Sequence, residues 1–323
     1  MTLRVAICCI IGFLSLSNTL QAAVPRWMCR IVDWVDRSDT VNTDSTYVRL
    51  TKEGFIAYVN LLNTGTVGNL TFKKPGLPAG SNRLSTATSD AIGLSVAYRG
   101  WGLSYARHRD SEWNDDDYSF SFNSRRYFLD YRYHSARSLR ADDLSNLPVE
   151  EGQGRMRTTS FTAYWVFQRE HFSHPGATLH TTYQLRSAGS WLAAVNYWHG
   201  RYFDGSGRLS DDFRRLSLSH LNLGGGYAYT WVFAHQHCTL TGIVTPMLNI
   251  WHRNRLYTQQ GSMTVLEQGL SADAIGRLCF AYTHGRYLAG FQLYGDYGFT
   301  PCKGHFDLHT LDWSSRCFVG VRF

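Results

Sequence analysis

The chain has 323 residues, a formal charge of +7 and 15% aromatic side chains, with only 7 prolines. Of its 32 cationic residues only Lys52, Lys73, Lys74 and Lys303 are lysines, so arginine supplies the other 28, scattered along the chain with no basic run or recognition motif. That distribution argues against nucleic-acid binding, and no apolar run after the first two dozen residues is long enough for a membrane-spanning helix.

The N-terminus, "MTLRVAICCIIGFLSLSNTLQAAVPRW", has Arg4, an apolar stretch from Val5 to Leu16 and small residues at Ala22 and Ala23. This is the layout of a secretory signal peptide over 1–23, with an uncleaved anchor as the alternative. Residues 24–53 are polar and charged and read as a periplasmic extension. Residues 54–323 carry the strand patterns of one barrel domain. Five cysteines follow the signal segment: Cys29, Cys238, Cys279, Cys302 and Cys317. Their odd number leaves at least one unpaired in a monomer. No CxxC spacing suggests zinc.

Taken in order, the strand candidates are "GFIAYVNLLN", "NLTFKK" and "AIGLSVAYRGWGLSYA", with a bulge expected at Arg99-Gly100. "YSFSFNS" then sets Tyr118, Phe120 and Phe122 against Ser119, Ser121 and Asn123. In "RYFLDYRYH", Tyr127, Leu129, Tyr131 and Tyr133 alternate with Phe128, Asp130, Arg132 and His134. "FTAYWVFQ", "WLAAVNYWHG", "GGYAYTWVFA", "CTLTGIVTPML", "AIGRLCFAYTH" and "YLAGFQLYGDYGF" follow. The closing strand alternates Leu311, Trp313, Ser315, Cys317, Val319, Val321 and Phe323 with a wetter set. Period-two patterns of about ten residues are those of strands with one apolar face. A bilayer admits such strands only in a closed barrel, where every backbone group finds a partner.

Connection lengths support the count. Long links are expected around Ser135–Arg157, Gly200–His220, Arg253–Gly269 and Thr300–His309, a polar one of moderate length around Arg107–Asp117, and short ones at "NSRR", "AHQH" and "THGR". This is the asymmetry of outer-membrane barrels. It holds if 169–189 is one inserted periplasmic connection that folds into the lumen or caps the lower mouth. The fold expected is an all-β transmembrane antiparallel barrel of about 12 strands.

The phrases "LSVAYRGWGLSYA", "DDYSFSFNSRRYFLDYRYH", "AYWVFQREHFSHPGA", "QLRSAGSWLAAVNYW" and "GGGYAYTWVF", in this order, resemble an uncharacterised envelope family of Bacteroidetes, domain of unknown function 4421 (DUF4421). The resemblance implies a secreted, barrel-like protein and brings no catalytic or ligand residues. The closing "FVGVRF" is similar to the terminal assembly signal of outer-membrane barrels, which implies that the assembly machinery reads this strand.

Several groups of residues are candidates for chemistry. His171 and Ser173 would share a face of an extended strand, as in an activated hydroxyl, although Pro175-Gly176 also makes this stretch an ordinary turn approach. His305, Asp307 and His309 have ligand-compatible spacing, as do His235 and His237, but both groups also read as solvated loops. Asp115, Asp116 and Asp117 lack the glycine and glutamate of a calcium loop. Gly224, Gly225 and Gly226 lead into a strand and read as close wall packing. Arg132, Arg277 and Arg316 face a lumen if the barrel is right, where they bias a pore towards anions or meet acidic partners across a plugged interior. No catalytic, cofactor or metal site is assigned.

The function expected is that of a non-enzymatic outer-membrane barrel of a Gram-negative bacterium, either a narrow channel or a structural or partner-binding barrel. Its partners would be outer-membrane lipids and, through the C-terminal strand, the barrel assembly machinery. The alternatives are an outer-membrane lipid or acyl hydrolase and a soluble secreted β-sandwich that binds glycans.

Overall fold

The computed structural model describes residues 43–50, 55–73, 81–86, 88–108, 116–142, 154–203, 214–258, 261 and 263–323. The signal peptide expected over 1–23, most of the extension expected over 24–53, and Cys29 lie outside the described residues. In chain order the strands are β1 (Val48–Leu50), β2 (Phe55–Phe72), β3 (Ser81–Ser85), β4 (Ser89–Tyr98), β5 (Trp101–His108), β6 (Asp116–Asn123), β7 (Tyr127–Asp142) and β8 (Gly154–Val166). A short helix, α1 (His174–Thr178), precedes β9 (Thr182–Gln184), β10 (Ala188–Tyr202), β11 (Arg215–Phe233), β12 (Cys238–His252), β13 (Asn254–Tyr257) and β14 (Met263–Leu266). The chain closes with β15 (Ala272–His284), β16 (Tyr287–Cys302) and β17 (Phe306–Arg322).

Twelve strands form a closed antiparallel barrel in the order β2-β4-β5-β6-β7-β8-β10-β11-β12-β15-β16-β17, and β17 returns to β2. The seam runs in unbroken register from Phe306↔Phe72 to Arg322↔Ile56. Closure leaves no unpaired edge, the condition for strands to survive in hydrocarbon. It also rules out the β-sandwich alternative.

The side chains are arranged inside out relative to a soluble protein. On β2, Leu61 is 63% exposed while Asn60 on the opposite face is 2% exposed. On β6 and β7 the serines, Asp130, Arg132 and His134 face inward, as the alternation requires, and Tyr118, Phe120 and Tyr127 face out. Outward aromatics gather near the short-turn end, at Tyr127, Trp165, Trp191, Trp231 and Tyr287. Others lie toward the far end, at Trp251, Tyr297 and Trp313, with aliphatic Leu61, Val244 and Leu293 between. An apolar band with aromatic edges matches a bilayer and its two interfaces. The protein is an outer-membrane β-barrel.

The strand count agrees with the sequence through two compensating differences. "GFIAYVNLLN" and "NLTFKK" are one 18-residue strand, β2. The polar stretch between them stays in the sheet because Thr64 and Thr66 point into a polar lumen. Arg99-Gly100 is not a bulge but the whole turn between β4 and β5, with Tyr98 paired to Trp101 and φ of 43° and 94° at the two turn residues. Two successive positive φ values are the type I′ pattern that suits a twisted hairpin, and a Cβ at Gly100 would sit 2.2 Å from the Asn123 carbonyl. The link expected at Thr300–His309 shrinks to a three-residue turn because β16 and β17 pair as far as Cys302↔Phe306.

The barrel narrows toward its outer end. β3 continues the line of β4 along β2, from Ser85↔Val67 to Ser81↔Thr71. Its other edge pairs with β7 at Ser85↔Arg140 through Arg83↔Asp142. The eight-residue strands β5 and β6 end below this pairing, so the twelve-strand wall is reduced by two strands above their hairpin.

The stretch 167–187 is an insertion at the short-turn end, as the loop alternation requires. Its chain enters the lumen through α1 and leaves through β9. β9 pairs with β1, from Val48↔Gln184 to Leu50↔Thr182, so the described part of the N-terminal extension is tied to the base of the insertion.

Candidate functional site: a polar chamber above an inner plug

The inner mouth is occupied by the insertion. Ser173 caps α1 by accepting from the Gly176 amide at 3.2 Å, with Pro175 in the first turn where its missing N–H is no loss. Phe172 and Ala177 pack on Phe128, Tyr164, Leu192, Ile243 and Ile275 from several walls. Polar contacts fix the segment around the circumference. His174 Nδ1 meets Asn123 Oδ1 at 2.9 Å, Gln292 donates to the Thr178 carbonyl at 3.1 Å, and Tyr58 donates to the Leu179 carbonyl. Arg322, 1% exposed, donates to the His180 carbonyl at 3.0 Å, and its guanidinium lies 4.2 Å from the Tyr183 ring centroid. Burial pushes the imidazoles of His174 and His180 down to about 3, with Arg277 and Arg322 respectively adding to the effect. Both are therefore neutral at physiological pH.

Above the insertion lies a charged layer. Asp130 accepts from Arg132 Nε at 2.9 Å and from Arg277 Nη2. Arg132 stacks 3.6 Å from the Tyr294 ring centroid, and Arg277 lies 5.1 Å from that of Phe128. One carboxylate thus serves two guanidinium groups. Arg316 lines the same space and makes no hydrogen bond or ion pair among the described residues. The next layer outward is acidic: Asp312 accepts from Thr66 at 2.6 Å, Asp296 from Tyr294 at 3.2 Å, and Asp273 from Asn222. None of the three has a cationic partner among the described residues. Asn222 extends this network to Asn196, which reaches Ser160 and Thr162.

Two cavities of about 100 and 90 Å³ adjoin in these layers and share Ser104, Ser119, Arg132, Tyr294, Ser314 and Arg316 as walls. The outer end is narrowed by an apolar cluster in which Leu70, Leu139, Met156, Leu218, Phe306 and Leu308, from β2, β7, β8, β11 and β17, pack together. The result is a polar chamber between an apolar outer constriction and the inner plug.

Other candidates from the sequence fall elsewhere. His171 and Ser173 do not form a dyad, because the segment turns into α1 instead of running as a strand. Ser173 Oγ is fully buried and shared with Thr182 at 2.6 Å, while the His171 ring lies tilted against Tyr47 and faces Asp44 at 3.6 Å. His305 contacts the Lys303 carbonyl, Asp307 pairs with Lys73 at 2.6 Å, and His309 meets Tyr297 at 2.8 Å. His237 meets the Thr283 carbonyl in the exposed 234–237 turn that also holds His235. Asp115 lies outside the described residues, Asp116 accepts from Tyr105, and Asp117 pairs with His134. Among the described residues no cluster of His, Cys, Asp or Glu could hold a metal ion. Gly224 and Gly226 run close against Pro246 and Val244 of β12, as the wall-packing reading requires. Arg132, Arg277 and Arg316 do face the lumen.

The residues that sequence reasoning missed are Asp273, Asp296, Asp312, Asn196 and Asn222. Each occupies an inward position of its strand, so the alternation itself was the available signal.

No curated protein sequence matches the chain. Its structure is similar to the translocator domain of the autotransporter NalP from Neisseria meningitidis, at 13% identity and a TM-score of 0.34, covering 96% of this chain and 99% of that one. It is also similar to the COG4313 outer membrane channel from Pseudomonas putida F1, at 11% identity and a TM-score of 0.38, covering 86% and 98%. A third similar structure is the toluene transporter TodX of P. putida, at 8% identity and a TM-score of 0.26, covering 84% and 91%. The model of the family described as domain of unknown function (DUF4421) matches residues 42–323. With that match spanning every described residue, the chain belongs to the DUF4421 family.

Proposed function

We propose that this barrel is a gated, non-enzymatic channel of the outer membrane, shut at rest and opened by withdrawal of the 172–182 segment. The observation that carries this reading is the way the inner mouth is filled. The plug is an insertion between two adjacent strands, β8 and β10, which pair with each other directly, so it can leave without breaking the wall. Polar walls behind it, unlike a packed apolar core, tolerate water once it moves. The hydrolase alternative loses its candidate dyad, because Ser173 caps α1 and shares its hydroxyl with Thr182. On the same reading the outward band meets outer-membrane lipids, and the closing strand β17 is the segment offered to the assembly machinery.

Liposome swelling tests the reading. A variant in which residues 173–181 are replaced by a glycine-serine linker should admit small solutes that the wild-type protein admits slowly or not at all. Equal, negligible swelling by both, with the variant still migrating as a folded barrel, would leave a purely structural or partner-binding role.

A further inference from the structure

We propose that the chamber is a binding site for a small zwitterion whose ammonium and carboxylate lie several bonds apart. This deepens the channel reading by naming a solute class. Arg316 and Asp312 both point inward from β17, four residues and so roughly 13 Å apart along the strand. Asp296 stands beside Asp312 in register on β16. The cationic end of the chamber therefore holds Arg316, with no hydrogen-bonded anion, next to an Arg132 that shares Asp130 with Arg277. The acidic end holds Asp296 and Asp312, which have only neutral hydroxyl donors.

A guanidinium and a carboxyl group on one wall, too far apart to pair with each other, are satisfied together by a ligand that carries the complementary pair. Charge-assisted hydrogen bonds to each end would be the strong contacts. A further donor and acceptor waits between them: Thr64, 6% exposed, lines the same cavity with its Oγ1 unpaired. Asp117 and His134 also border the space, and their mutual pair leaves the net pattern unchanged. Trp198 at the acidic end offers an apolar surface to a methylene chain and an optical signal.

The test is a binding titration followed by Trp fluorescence and calorimetry, with 6-aminohexanoate as probe and hexanoate and hexylamine as its two halves. It is run on the folded wild-type protein and on the linker variant, whose plug does not reach this cavity's walls. The zwitterion should bind at least about tenfold tighter than either half. Arg316→Gln and Asp312→Asn should each weaken it by about tenfold or more, a difference of roughly 1.4 kcal/mol per decade, and should bring it close to the remaining half-ligand. Equal binding of the zwitterion and hexanoate, or no binding in either protein, would overturn the proposal. Binding is read without transport, so a channel that conducts but does not bind, or a barrel that binds but does not conduct, separates this failure from that of the channel reading.

Discussion

Replacing Arg322 with methionine should loosen the plug while leaving the barrel closed. The substitution keeps the length of the side chain but removes its charged donor. Two contacts are lost: the charge-assisted bond to the His180 carbonyl at 3.0 Å and the stacking of the guanidinium 4.2 Å from the Tyr183 ring. A hydrogen bond from a charged group contributes about 1.5–3 kcal/mol, and a desolvated cation–π contact about 0.5–2 kcal/mol. Together they amount to about 2–5 kcal/mol of docking free energy. At 1.4 kcal/mol per decade that raises the undocked population about 30- to 4000-fold. Planar-bilayer recording gives the open probability directly, and limited proteolysis near Arg186 gives plug exposure independently. An unchanged open probability from a variant of normal heat-dependent mobility would refute the idea that this contact holds the inner mouth shut.

Acid should open the same gate. His174 and His180 titrate at about 3 when docked and near 6.5 when released, so the released segment binds more protons throughout that interval. Docking is at full strength above about pH 6.5 and weakens as the pH falls toward 3, by about 2 kcal/mol per histidine at pH 5. Conductance should rise between pH 6.5 and 5, and His174→Gln with His180→Gln should flatten the profile. Asp130→Asn leaves Arg277 and Arg132 without their shared carboxylate, so midpoint denaturation should report a loss of about 3–5 kcal/mol. Val244→Arg, on the lipid-facing band, should reduce folding stability into bilayers by about 2–4 kcal/mol while Asn60→Ser, on the lumen side, changes it little. Phe306→Ala in the outer apolar cluster removes a fully buried ring and should cost about 3–5 kcal/mol in the same assay.

Alternation made the barrel legible because each strand meets lipid on one side and a wet lumen on the other. "RYFLDYRYH" and "YSFSFNS" therefore carry their topology in the spacing of their rings and charges. Boundaries were less legible for physical reasons. A polar break such as Asn63–Thr66 ends a strand in a soluble protein but not beside a polar lumen. Arg99-Gly100 does not look like a turn until its backbone is seen to have two positive φ values. The placement of 169–189 could be argued from loop alternation, yet the role of Ser173 as a helix cap could not, since H-x-S reads equally well as a dyad on a strand. The chamber was half visible: Arg132, Arg277 and Arg316 stood out as charges, while Asp312 and Asp273, inward on the same strands as Arg316 and Arg277, passed as ordinary polar positions, and Asp296 comes to lie beside Asp312 only when β16 and β17 pair.

The most direct test of the central claim is gel mobility of the detergent-extracted protein, boiled and unboiled, from separated membrane fractions. A faster-migrating unboiled band confined to the outer-membrane fraction is the expected result for a closed barrel in that membrane. Recovery in the soluble fraction, with one mobility before and after boiling, would contradict it.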